Sequence, residues 1–75
     1  MTWNDLCIAI YEFKQTDYHT YVMINVNYLR VENYIFYKNG KIEECKHHQI
    51  IAKDMSYNQM FVKINNLFGG EHHNG

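Results

Sequence analysis

Cysteine and histidine side chains, which bind transition metals, are concentrated in the segment CKHH at residues 45–48. Cys45 and His48 have the Cys-x-x-His spacing that can supply part of a tetrahedral zinc site. The remaining ligands would have to come from distant residues without supporting spacing, namely Cys7, His19, His72 and His73. We therefore expect no metal ion and no other cofactor, with Cys45 packed near a sheet and the adjacent histidines in solvent.

Nucleophilic and acid–base chemistry have equally little support in the sequence. A cysteine could act as a nucleophile beside a histidine base, but such pairs are defined by a geometry that one sequence does not fix. Glu43 and Glu44 form an acidic pair, and Asp54 lies further along the chain. A chain of 75 residues also has little material for both a core and an enclosed cleft. We expect a non-catalytic protein.

The length of 75 residues corresponds to a single domain, which we place at residues 1–70, followed by a disordered tail at 71–75. Such a small core rarely contributes more than about 3 to 5 kcal/mol of net stability, so partners, metals or disulfides often assist it. Residues 1–5 lack the basic start of a secretory signal, and the longest apolar run, residues 6–11, is too short to cross a bilayer. We expect a cytoplasmic protein without membrane association.

The charge and composition give further limits. The formal net charge is -1, with acidic and basic residues intermixed. This balance argues against a dominant electrostatic attraction to nucleic acid or anionic lipid. Proline is absent, and residues with A/T-rich codons (Asn, Ile, Lys and Tyr) are abundant. The composition is typical of a low-GC bacterial, phage or plasmid gene.

A first helix is predicted near the N-terminus. Thr2 and Asp5 have the spacing of a capping box. An apolar stripe follows at helical intervals: Trp3, Leu6, Cys7, Ile10 and Tyr11. Residues 6–13 are also rich in β-prone side chains that fit the two-residue period of a strand, so helix and strand remain alternatives for this segment.

A second helix is predicted near the C-terminus. Ser56 and Gln59 have the form of a capping box. Apolar residues then recur at spacings of three and four: Tyr57, Met60, Phe61, Ile64, Leu67 and Phe68. Gly69 and Gly70 should end this helix, because glycine readily adopts the left-handed conformation of a helix cap.

Three antiparallel strands are predicted between the helices. The first runs through residues 18–28, where Val22, Ile24, Val26 and Tyr28 alternate with Tyr21, Met23, Asn25 and Asn27. The phase of this alternation slips around residues 29–33, which indicates a turn or bulge. Residues 34–38 and 41–47 then form a hairpin.

The hairpin turns through Asn39-Gly40, and its loop has either two or three residues. The loop length decides whether Ile42 faces Tyr37 or Phe36. The sequence leaves both registers open.

The predicted fold is therefore α+β in the order α-β-β-β-α, a two-layer domain in which two helices cover one face of a three-stranded antiparallel sheet. The strand YIFY at residues 34–37 is apolar or aromatic at four successive positions, so both of its faces are apolar. The uncovered face should carry Tyr21 and Met23 together with either the Tyr34/Phe36 or the Ile35/Tyr37 pair. We take as candidate partner-binding residues Tyr21, Met23, Tyr34 and Phe36.

A contiguous aromatic face of this kind usually marks an interaction site, unless the chain itself covers it. The sequence thus predicts a small protein-binding module that self-associates as a homodimer. The composition fits a phage- or plasmid-type inhibitor or regulator of a host protein.

Nucleic-acid binding is the alternative function. The predicted order of elements resembles that of double-stranded RNA-binding domains, which implies phosphate contacts from a lysine cluster at the start of the second helix. That position here contains one lysine beside an acidic residue, Lys53-Asp54. The lysines that could form a weak basic strip are Lys38, Lys41, Lys46 and Lys53.

Overall fold

Five strands and two helices make up the part of the chain that the computed structural model describes, residues 1–17 and 19–69. In chain order the elements are α1 (Trp3–Thr16), β1 (Val22–Ile24), β2 (Tyr28–Val31), β3 (Tyr34–Tyr37), β4 (Ile42–Glu44), β5 (Gln49–Ala52) and α2 (Tyr57–Gly69). The predicted tail at residues 71–75 lies outside the described residues.

Both helices begin at the predicted capping residues. The Thr2 hydroxyl accepts a hydrogen bond from the backbone N–H of Asp5, and the Asp5 carboxylate accepts one from the backbone N–H of Thr2. Ser56 and Gln59 exchange the same pair of bonds at the start of α2. The first segment is therefore a helix rather than a strand.

The sheet is an antiparallel meander with the strand order β1-β2-β3-β4-β5. The α+β class is confirmed, but the prediction of three strands is wrong. The predicted first strand is a hairpin of β1 and β2, which turns at residues 25–28. The side-chain oxygen of Asn25 accepts a hydrogen bond from the backbone N–H of Asn27, and Val26 is 77% exposed at the tip.

The second missed strand, β5, follows a tight turn at residues 45–48. Glu44 organises this turn because its carboxylate accepts hydrogen bonds from the backbone N–H groups of Lys46 and His47 and contacts the His47 ring. His48 adopts a φ of 54°, in the left-handed region, and the chain then reverses into β5. The predicted strand at residues 41–47 therefore ends early, at Glu44.

The hairpin between β3 and β4 has a three-residue loop, since the N–H of Tyr37 donates to the carbonyl of Lys41 and Phe36 pairs with Ile42. Gly40 has a φ of 97° and is buried against the segment that leads into α2. A Cβ atom at Gly40 would lie 3.2 Å from the backbone nitrogen of Met55. Both the conformation and the space require glycine here.

The core lies between the two helices and one face of the sheet. Its buried residues come from α1, α2 and the strands β2 to β4: Trp3, Leu6, Ile10, Leu29, Val31, Phe36, Ile42, Met60 and Ile64. Trp3 also packs its ring against Tyr57, with a centroid distance of 5.5 Å, so both helix starts meet at one end of the core. Tyr11, which was predicted to lie on the apolar stripe of α1, is exposed.

Candidate protein-binding surface

The sheet face opposite the helices carries a second set of apolar and aromatic side chains. Strand register assigns alternate residues to this face because partners across an antiparallel pair project to the same side. We call it the open sheet face and define it by Tyr21, Met23, Tyr28, Arg30, Ile35, Tyr37, Glu43 and Ile50. Each of these residues is exposed or half-buried.

Two of the four residues proposed from the sequence lie on the open sheet face. Tyr21 is 46% exposed and Met23 is 41% exposed. Phe36 is fully buried, and Tyr34 packs against the core, so the prediction that these two side chains lie on the uncovered face is wrong.

The opposite pair, Ile35 and Tyr37, faces outward on β3. The sequence left this choice open because every residue of YIFY is apolar or aromatic, and a two-residue period cannot orient such a strand. The pairing of β3 with β2 decides it, since Phe36 lies beside Leu29 and Tyr34 beside Val31, and both β2 residues are buried.

An aromatic pair forms the end of the open sheet face nearest the β3–β4 loop. Tyr28 and Tyr37 are register partners, and their ring centroids are 6.1 Å apart at an interplanar angle of 57°. This tilted arrangement is a favourable one for aromatic pairs. The Tyr28 hydroxyl lies 3.7 Å from the sulfur of Met23, as a weak donor to it. The rings thus form a continuous apolar patch with Met23.

Arg30 lies on β2, between the Tyr28–Tyr37 pair and Tyr21. Its Nε donates to the backbone carbonyl of Glu32 at 2.8 Å, and its guanidinium carbon is 5.3 Å from the centroid of the Tyr21 ring. The Glu32 carboxylate accepts a hydrogen bond from the backbone N–H of Tyr21. The hydrogen bond and the cation–π interaction with Tyr21 together hold the guanidinium of Arg30 close to the sheet.

Glu43 carries the acidic charge of the open sheet face. The Tyr37 hydroxyl donates a hydrogen bond to a carboxylate oxygen of Glu43 at 2.8 Å. This bond to Glu43, together with desolvation, raises the pKa of Tyr37. The phenol therefore stays protonated as a donor and holds the carboxylate beside Ile35, its register partner on β3.

The lysines proposed for nucleic-acid binding do not form one strip. Lys38 lies in the β3–β4 loop and Lys41 directly follows it, and Lys53 follows β5 at the same end of the sheet, since Ala52 pairs with Ile42. Lys46 lies in the β4–β5 turn at the opposite end. The five-stranded sheet also contradicts the three-stranded order on which the resemblance to double-stranded RNA-binding domains was based.

The cysteines and histidines are not assembled into a site within the described residues. No group of three or more histidine, cysteine or acidic side chains there could hold a metal ion. Cys7 and Cys45 are free, half-buried thiols. Burial raises the pKa of Cys7, which makes its thiol a weaker nucleophile at neutral pH.

Neither helix of the described chain has the length and apolar character needed to cross a membrane. No protein-family model, no curated protein and no solved structure matches the chain.

Proposed function

We propose that this protein is a non-catalytic binding module that recognises another protein molecule through its open sheet face. The supporting observation is that large apolar and aromatic side chains occupy this face while a complete core lies on the other side of the sheet. Met23 and Ile50, at its two edges, are 41% and 46% exposed. Contiguous apolar patches of this kind on small proteins mark interaction sites.

The composition of the face supports the same proposal. Interface cores are enriched in tyrosine, methionine and arginine and depleted of lysine, aspartate and glutamate. The open sheet face contains three tyrosines, one methionine and one arginine, with Glu43 as its acidic residue. Tyrosines on a hydrogen-bonded sheet also lose little conformational freedom on binding, because the backbone that carries them is already fixed.

Binding would also stabilise the domain. A partner that binds the folded state shifts the folding equilibrium toward that state, which matters most for a chain of this size. By covering the surface of its partner, the module would act as an inhibitor or regulator of a host protein.

The proposal is tested by Ile35→Lys, which places a charge at the centre of the open sheet face. Its matched control is Ile8→Lys, because Ile8 is 57% exposed on the outer side of α1. Both variants and the unaltered protein are immobilised, and the proteins they retain from an extract of the native host are quantified by mass spectrometry. We expect specific retention that Ile35→Lys abolishes and Ile8→Lys preserves. Equal retention by the unaltered protein and by a folded Ile35→Lys variant would refute the proposal.

A further inference from the structure

A row of five register partners crosses the open sheet face from edge to edge, with one residue from each strand. In order from β1 to β5 the row is Met23, Arg30, Ile35, Glu43 and Ile50. Ile35 lies at its centre, with a basic residue on one side and an acidic residue on the other. The outer positions are both apolar. On the two sides of Ile35, the row therefore has apolar residues at matching positions and charges of opposite sign at matching positions.

The two charges of this row do not pair within one molecule. Arg30 and Glu43 are separated by strand β3, which corresponds to about 10 Å at the usual strand spacing. Their side chains contact neutral groups instead, namely the carbonyl of Glu32 and the hydroxyl of Tyr37. Among the described residues, neither forms an ion pair. Both charges are thus available to a molecule stacked on the sheet.

We infer that the open sheet face binds a second copy of this chain, face to face. The two-fold axis of this dimer runs parallel to β3, midway between the two stacked sheets. This inference rests on the proposed function, because it assigns the same face to self-association, which would compete with the binding of a host protein. Rotation about such an axis exchanges the two sides of the row. Arg30 of each copy then meets Glu43 of the other, Met23 meets Ile50, and Ile35 meets its own equivalent.

Two axes keep the strands of the stacked sheets aligned, and the charge pattern selects this one over the other. An axis perpendicular to the strands would place Arg30 over Arg30 and Glu43 over Glu43, and like charges in contact oppose association. The axis along β3 makes two opposite-charge contacts per dimer. Stacked sheets lie about 10 Å apart, so facing side chains from the two rows can touch.

The size of the face indicates how strong this dimer is. Five strands at a spacing of about 4.8 Å span roughly 24 Å, and strands of three or four residues are about 10 to 14 Å long. Two patches of these dimensions cover roughly 500 to 700 Å² in total, which is below the limit of about 1,200 Å² at which stable specific interfaces begin, so the contact belongs to the weak, transient kind. We expect a concentration-dependent dimer with a Kd in the micromolar range or weaker, rather than an obligate one.

The test uses Arg30→Glu and Glu43→Arg, each alone and in an equimolar mixture. Each variant alone makes two like-charged contacts in its homodimer, so sedimentation velocity should show a Kd at least about tenfold weaker than that of the unaltered protein. The mixture makes two opposite-charge contacts in its heterodimer, and we expect association to recover to within about threefold of the unaltered protein. Glu12→Arg, an exposed charge reversal on α1, is the matched control and should leave the Kd unchanged.

Recovery in the mixture is the decisive result, because a variant that merely unfolds would not be rescued by another variant. Circular dichroism of each variant checks the fold separately. If the unaltered protein dimerises and Ile35→Lys prevents it, but the mixture does not recover, the arrangement about β3 is wrong and the open sheet face remains the binding surface. If the unaltered protein stays monomeric at millimolar concentration, the second copy is excluded, and the capture experiment alone decides the proposed function.

Discussion

Truncation of two adjacent residues on β3 should lower the free energy of unfolding by very different amounts, because Phe36 faces the core and Ile35 faces outward. Phe36 is 0% exposed and lies beside Leu29 and Ile42, its partners on the two neighbouring strands. Replacing a fully buried phenylalanine with alanine typically lowers the free energy of unfolding by about 3 to 5 kcal/mol. A domain of this size has only about 3 to 5 kcal/mol of net stability from its core. Phe36→Ala should therefore be largely unfolded at room temperature.

Ile35→Ala removes a half-buried side chain whose neighbours are on the open sheet face, so we expect a loss of no more than about 1 kcal/mol. Urea denaturation followed by the fluorescence of Trp3, the single tryptophan, measures both variants. Phe36→Leu, with an expected loss of about 1 to 2 kcal/mol, keeps the comparison measurable if the alanine variant does not fold. Equal losses at Phe36 and Ile35 would show that the two faces of the sheet are misassigned.

Three further predictions follow from local features of the fold. Gly40→Ala should lower the free energy of unfolding by about 1 to 3 kcal/mol, because the left-handed φ and the nearby backbone both oppose a side chain. Urea titration measures this loss, and an unchanged midpoint of the urea transition would contradict the prediction. Hydrogen bonds from the Thr2 backbone and hydroxyl lower the pKa of Asp5. Desolvation alone would raise the pKa of Glu44, but hydrogen bonds from the His47 ring and from nearby backbone N–H groups outweigh it, so the pKa of Glu44 is also lowered. Both carboxylates should therefore stabilise the fold above their unfolded pKa values of about 4, and thermal melts should show this stability disappearing as the pH falls through their lower folded values, whereas a melting temperature independent of pH below 4 would be inconsistent with it. Fluorescence anisotropy with labelled duplex and single-stranded RNA and DNA at low salt should detect no binding, since the lysines do not form one surface, and salt-dependent binding would favour the nucleic-acid alternative.

The helices could be predicted from the sequence because their signals are local. A capping residue and its partner three positions later fix the start of each helix, at Thr2 with Asp5 and at Ser56 with Gln59. No other part of the fold is needed to form these bonds. The same local character explains why the α+β class could be predicted.

The strand number could not be predicted because the two-residue period of apolar side chains continues through the turns. The periodicity alone therefore does not show where one strand ends and the next begins. Val26 continues the period of the residues before it, yet the side chain of Asn25 bends the chain at that point. Glu44 has a comparable effect before β5, where a carboxylate in an apparently continuous strand organises a turn. Asparagine in a turn is a recognisable signal, and its presence at positions 25 and 27 could have indicated the first hairpin.

The orientation of β3 depends on contacts that are distant in sequence. Its residues are apolar on both sides, so only pairing with the neighbouring strands and the packing of the helices assign Phe36 to the core and Ile35 to the open sheet face. The charge pattern around Ile35 was missed for the same reason. It appears only when residues from five separate strands are brought into one row.

The most direct test of the account is a concentration series of methyl NMR spectra, which reports on each side of the molecule separately. Met23, Ile35 and Ile50 have methyl groups on the open sheet face, and the exposed Ile8 on α1 serves as the reference. We expect the methyl signals of the open sheet face to shift together as the concentration rises, while the Ile8 signal stays in place. Shifts at Ile8 with an unchanged open sheet face, or no shift of any methyl signal up to millimolar concentration, would contradict association through this surface.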